Sequence, residues 1–267
     1  MVDALLNVLK QLLYFVGSVY LVGFLIAQLS KAFYRMFASK TLCYALGVIG
    51  TPVHELSHAL MCILFGHKIN EIKLFQVDEN DDKLGYVNHS FNPRNPYHQI
   101  GNYFIGVAPI LVGTVVICVL MYFMVPDAFS EVSMHMNEIA KTASEGFSLS
   151  VFGSAFSIIK ALFTNISSFF LWLLFLIIVV CISMHMSLSG ADIVGSIKAI
   201  PLIALILAIV NVILSLISDK AYSSFVEIMD MAGAYLISVL MLALLFAVFV
   251  VLIALVVKLV ISIFSRR

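Results

Sequence analysis

His54-Glu55-Leu56-Ser57-His58 is a stretch whose residue types and spacing spell a reaction. At 3.6 residues per helical turn, His54 and His58 stack on one face, one turn apart. Two neutral imidazoles at that spacing can ligate a single Zn2+. Glu55 follows His54 and can reach a water on the open side of such an ion. Zinc lowers the pKa of that water toward 7, and the carboxylate is the base that takes its proton. Attack on a peptide carbonyl follows, with Glu55 returning the proton to the leaving amine.

The pentapeptide lies inside an apolar run. Each ionisable residue in a membrane helix costs about 2.5–3.5 kcal/mol on insertion scales, so three together point to function. The competing reading, a polar cluster that only ties helices together, rarely needs all three. Gly47, Gly50 and Thr51-Pro52 precede the motif. Glycines weaken a helix and proline removes a backbone donor. The sequence therefore predicts a break there, through which water would reach the metal.

Two histidines do not complete a site, because a catalytic zinc usually has three protein ligands and one open position. His58 is followed by Ala59, Leu60, Met61 and Cys62, so no histidine follows at the HExxHxxGxxH spacing. His67 lies beyond Gly66, which ends the helix. Asp192, in Ser187-Leu188-Ser189-Gly190-Ala191-Asp192, is the expected third ligand. A lone carboxylate in so apolar a region needs a partner, and a metal supplies one. Its competing role is that of a helix cap. His185 is the main rival, with His89 and His98 behind it. The sequence SMHM occurs at 133–136 and 183–186, but methionine is common in apolar cores, and soft Cu(I) ligation ranks low. Asn102 is a candidate hydrogen-bond donor to the oxyanion, against the alternative of an amide paired in a helix contact. Gly101, Gly106 and Gly113 beside it would let helices approach closely.

The elements that position these residues follow from composition. Of 267 residues, 62% are apolar and 11% charged, against roughly 45–50% and about 25% in soluble domains. Neither a soluble surface nor a disordered chain has that balance, and the lipid bilayer is the solvent that fits. The formal net charge is zero, which argues against nucleic acid as a partner. Cys43, Cys62, Cys118 and Cys181 form no CxxC pair and read as small buried hydrophobes, not disulfides or metal ligands. The N-terminal apolar stretch lacks a basic leader and a cleavage site, and is expected to stay as a membrane segment.

About 20 helical residues cross a bilayer. The expected fold is all-α and integral to the membrane. It is a bundle of about six transmembrane helices, at 5–29, 41–66, 100–125, 167–189, 198–217 and 233–263, with a membrane-associated β-hairpin between the second and third. Strands at 69–75 and 86–91 flank an acidic turn at Asp78, Glu79, Asp81 and Asp82. The segment 147–164, with Lys160 and many serines, reads as interfacial or half-inserted. The organisation is a first helix and basic loop (1–40), a core (41–200) holding the hairpin region 67–99 and the interfacial segment 126–166, and further helices (201–267). Lys31, Arg35 and Lys40 favour a cytoplasmic first loop, and Arg266 and Arg267 a cytoplasmic C-terminus. Five crossings between them would put the two on opposite sides, so the cues conflict.

HExxH in the second helix, a strand-rich loop, a Gly/Pro-containing third helix and a distal Asp together resemble site-2-protease-type (M50-like) intramembrane zinc metalloproteases over about 41–200. The resemblance implies His54 and His58 as zinc ligands, Glu55 as the catalytic acid–base and Asp192 as the distal ligand. It implies a multi-pass protein of the cell (cytoplasmic) membrane, whose substrates are membrane-anchored proteins cut within or near their spans. A helical substrate must unwind first, and its freed backbone needs partners. Strand addition at the 69–91 hairpin would supply them. No PDZ-like or CBS-like insertion is present, so regulation falls to a membrane partner or to the substrate itself. The alternatives are a catalytically silent zinc-fold adaptor that holds a partner and, less favoured, a metal transporter. A transporter would carry more ionisable residues along its helices than Lys10 and Lys160.

Overall fold

Ala38 and Gly66 decide where the HExxH helix begins and ends. Ala38 takes a left-handed conformation (φ 45°), and the Ser39 side chain then caps the next helix by accepting from the Leu42 amide at 3.2 Å. Gly66, at φ 70°, stops it. The computed structural model describes residues 2–77, 83–145, 150–164 and 166–264. The acidic turn at 78–82 lies outside the described residues.

Helix α1 (Val2–Leu12) continues through a π turn (Leu13–Gly17) into α2 (Ser18–Phe37). Then come α3 (Lys40–Leu64), strands β1 (Lys68–Lys73) and β2 (Tyr86–Ser90), α4 (Pro96–Met124), α5 (Pro126–Glu145) and α6 (Ser150–Thr164). The chain ends with α7 (Phe169–His185), α8 (Gly190–Ile197), α9 (Ile200–Ile217) and α10 (Asp219–Phe264). Among the described residues, the predominantly helical fold and the single antiparallel hairpin agree with the sequence expectation.

Among the described residues, four helical stretches are long and apolar enough to cross a membrane: Asp3–Phe37, Pro96–Met124, Gly190–Ile217 and Asp219–Phe264. These mark a multi-pass membrane protein. The sequence predicts about six. The two that fall short have physical reasons. The polar residues of HExxH dilute the 25-residue α3, and α7 is apolar but only 17 residues long.

The predicted break at Pro52 is absent. Helix α3 runs through it from Lys40 to Leu64. The nearby glycines serve close packing. A Cβ on Gly50 would stand 2.3 Å from both the Cys181 carbonyl and His185 Nδ1, so α3 and α7 meet there. One on Gly47 would stand 2.8 Å from Leu84.

The core gathers side chains from most helices, including Ile26, Ile110, Ile117, Met121, Phe175, Ile182 and Phe246. Ile158, Ala161 and Leu162 of α6 are buried in it too. Polar ties join distant helices. Lys10 Nζ meets Asp230 at 2.7 Å, the buried Asn211 amide donates to Gln11 at 2.9 Å, and the Tyr20 hydroxyl donates to Ser196 at 2.7 Å. Unpaired polar groups are costly in lipid, and these pairs dock α1, α2 and the later helices together.

The hairpin pairs Lys68 with Ser90, Ile69 with His89, Glu71 with Asn88, Ile72 with Val87 and Lys73 with Tyr86. The register shifts between Ile69 and Glu71, the local irregularity of a β-bulge. Beyond the strands, the Gln76 amide donates to the Leu84 carbonyl at 2.7 Å.

Candidate metal centre

The His54 and His58 rings lie 4.8 Å apart, centroid to centroid, and turn their Nε2 atoms toward each other at 3.1 Å. Each ring is held from behind by a backbone carbonyl. His54 Nδ1 bonds the His185 carbonyl at 2.6 Å, and His58 Nδ1 bonds the Ile105 carbonyl at 2.7 Å. Both carbonyls are available for identifiable reasons. His185 is the last residue of α7, and the final carbonyls of a helix have no partner within it. Ile105 sits inside α4, where its carbonyl would ordinarily accept from the amide four residues on. That residue is Pro109, which has no amide hydrogen.

Asp192 reaches the pair from the first turn of α8. Its Oδ1 is 3.3 Å from His58 Nε2 and its Oδ2 3.9 Å from His54 Nε2. Oδ2 also accepts from the Ser189 amide at 2.8 Å, while the Asp192 amide donates to Ser189 Oγ at 3.2 Å. The two residues form a capping box. The same carboxylate therefore caps its helix and presents an oxygen to the histidines. Gly106 sets the distance, since a Cβ there would lie 2.5 Å from the Asp192 carbonyl and 2.7 Å from Ser196 Cβ. Only a bare backbone lets α8 come so close to α4.

The donor set fits a zinc ion. A neutral imidazole that donates through Nδ1 keeps a bare lone pair on Nε2. Two such nitrogens and a carboxylate, all within 4.8 Å of one another, are three acceptors facing one point. Without a shared cation or proton they repel. Ligands of a tetrahedral Zn2+, at about 2.0–2.1 Å from the ion, stand about 3.3 Å apart; the imidazole nitrogens stand at 3.1 Å. Carbonyl-held histidines are also the usual second layer of zinc sites.

Glu55 is buried and lines, with His54, a cavity of about 620 Å³ that also reaches Lys31, Arg35, Lys83 and Ser189. This cavity lies against an unbroken α3, without the break expected at Pro52. The hairpin closes over it. A Cβ on Gly85 would stand 2.7 Å from Thr51 Cγ2 and 2.9 Å from Glu55 Cγ.

The remaining candidates separate clearly. Asn102 is not among the residues lining this cavity. It lies on α4 before Ile105, and α4 contributes the Ile105 carbonyl instead. The His185 ring bonds the Cys181 carbonyl through Nδ1 at 2.9 Å; what it offers His54 is backbone. His89 and His98 gather around His67 at the far end of α3. Sequence reasoning missed the two carbonyls. Pro109 was the signal for one of them, and a carbonyl at a helix end carries none.

Residues 9–85 match the family model described as Peptidase M50B-like. The match spans the first helices, HExxH and most of the hairpin region. Comparison with the curated proteins and with the solved structures found no match.

Proposed function

We propose that this membrane protein, with its Peptidase M50B-like segment, is a zinc metalloendopeptidase that hydrolyses peptide bonds of membrane-anchored proteins within or near their spans. One observation carries the reading. Three acceptor atoms of His54, His58 and Asp192 lie within 4.8 Å of one another, and His54 lines the same cavity as Glu55. A purely structural cluster would pair donors with acceptors, whereas this one leaves a place for a cation.

His54, His58 and Asp192 would hold the ion. A bound zinc supplies Lewis-acid polarisation to the scissile carbonyl and the attacking water. The His185 and Ile105 carbonyls keep both Nε2 lone pairs pointed inward. Ser189 fixes the carboxylate so that Oδ1 remains free for the metal. Glu55 takes a proton from water and delivers it to the leaving amine.

The substrate backbone, once unwound, needs hydrogen-bond partners, and an open strand edge of β1 or β2 supplies them in this reading. The hairpin end lies against Glu55, so an added strand would run toward the base.

The test is Glu55→Gln in purified protein, reconstituted with a set of tagged single-span proteins. Hydrolysis is expected to fall by about 10²–10⁴-fold while zinc content stays that of the wild type. Unchanged cleavage in the Gln variant would refute the mechanism. A wild-type protein that binds zinc yet cleaves no member of the set would favour the silent adaptor.

A further inference from the structure

We propose that Cys62, His67 and His89 form a second metal site, separate from the HExxH centre, that takes a thiolate-preferring divalent ion, Zn2+ foremost, and clasps the hairpin to the end of α3.

The site is assembled by local geometry. Cys62 lies in the last turn of α3 and is wholly buried. Gly66, in its left-handed conformation, reverses the chain, and the His67 amide then donates to the Cys62 carbonyl at 2.8 Å. That turn lays the His67 ring back over the helix end, where it is 5% exposed. Strand β1 starts at the next residue, and the pairing of Ile69 with His89 carries the third ligand in. One ligand atom of each residue lies within 4.8 Å of the other two.

One hydrogen bond leaves the His67 ligand atom bare. His67 Nε2 donates to the His98 carbonyl at 2.8 Å, so its Nδ1 keeps a lone pair. That atom faces His89 Nδ1 at 3.1 Å, again near the roughly 3.3 Å expected of two nitrogens on a tetrahedral zinc. His98 is a supporting residue. Its Nδ1 accepts from the Asn92 amide at 3.1 Å, and its carbonyl orients His67. Phe91 stacks on the His67 ring at 5.0 Å and shields one side.

The donor chemistry selects the ion. Two imidazoles and a thiolate suit zinc and other late transition metals; magnesium, calcium and manganese prefer oxygen. The three-residue set contains no carboxylate. Its role is structural. Cys62 is one turn past His58 on α3, about 6 Å further along the helix axis. A metal here would fix the hairpin base, and so the Gly85 end that rests on Glu55. The inference does not depend on the protein being a peptidase.

The test is metal analysis of purified full-length protein loaded with zinc and, separately, with cobalt. The wild type is expected to hold about two equivalents, and a His54→Ala, His58→Ala double variant about one. Cobalt in that double variant should show a sulfur-to-metal charge-transfer band. Cys62→Ser should abolish the band and, like His89→Gln, retain about one equivalent at HExxH. A double variant that binds no metal, or whose cobalt spectrum lacks the thiolate band, overturns the proposal. That variant leaves all three proposed ligands in place, so its result stands even if Cys62→Ser fails to fold.

Discussion

Ile105 gives its carbonyl oxygen to His58 Nδ1 at 2.7 Å, and Pro109 is what leaves that oxygen unclaimed. A proline inside a membrane helix is tolerated where another group satisfies the freed carbonyl. Here that group is a metal-ligand candidate, so a helix irregularity and a site geometry are one feature.

Pro109→Ala returns an amide hydrogen to α4, and it competes with His58 for the Ile105 carbonyl. Loss of such a supporting bond typically lowers metal affinity by about 10–100-fold. Chelator competition should find a decrease in that range. The fold should survive, since alanine favours a helix interior over proline by about 3 kcal/mol. Unchanged affinity would mean that the carbonyl does not orient the ring.

Asp192→Asn and Asp192→Ala separate the two roles of one carboxylate. Asparagine keeps an oxygen for the Ser189 amide but loses the charge, and alanine loses both. Both variants should lose zinc from the HExxH centre. Only alanine should also lose the reciprocal half of the capping box, the carboxyl oxygen's bond to the Ser189 amide, worth about 0.5–1.5 kcal/mol in a thermal melt. His185→Ala should keep its zinc, because the ring bonds Cys181 and the carbonyl serving His54 is backbone. Full zinc occupancy in Asp192→Asn would remove it as a ligand.

Gly106→Val tests positioning without changing any ligand. Its Cβ would meet the Asp192 carbonyl at 2.5 Å, a backbone atom that cannot rotate away. Helix α8 must shift, and Asp192 with it. Zinc affinity should fall, and stability should drop by about 1–3 kcal/mol. Gly195→Ala is the control on α8. Nothing lies within 4 Å of its would-be Cβ, so zinc binding should hold while the helix gains up to about 1 kcal/mol.

Strand addition predicts a pattern along the hairpin. Proline placed singly through β1 and β2 removes one amide at a time. Cleavage should slow at positions whose amides face the open edge, with zinc content at the HExxH centre unchanged. A scan in which no position affects cleavage would discard the hairpin as the docking edge.

His54, Glu55 and His58 were legible in the sequence because their relation is internal to one helix. A spacing of four residues fixes a shared face whatever the helix packs against. The bilayer as solvent was legible from composition, and the hairpin from alternation around turn residues. Pro52 misled because one proline can be absorbed into a helix that neighbours support, and the glycines near it serve contacts with α7 and the hairpin. Cys62 read as a small hydrophobe because its relation to His67 needs the Gly66 reversal and its relation to His89 needs the strand register.

By itself the sequence determined the solvent, the helix that carries the two imidazoles and the acid between them. The solvent follows from composition, and the others from spacing along one segment of backbone. Tertiary structure alone decided that Asp192 faces His58 and that two backbone carbonyls aim both rings. The physical reason is that contacts between helices depend on where glycine permits close approach and where a carbonyl is left without an amide. Neither quantity is a property of one segment.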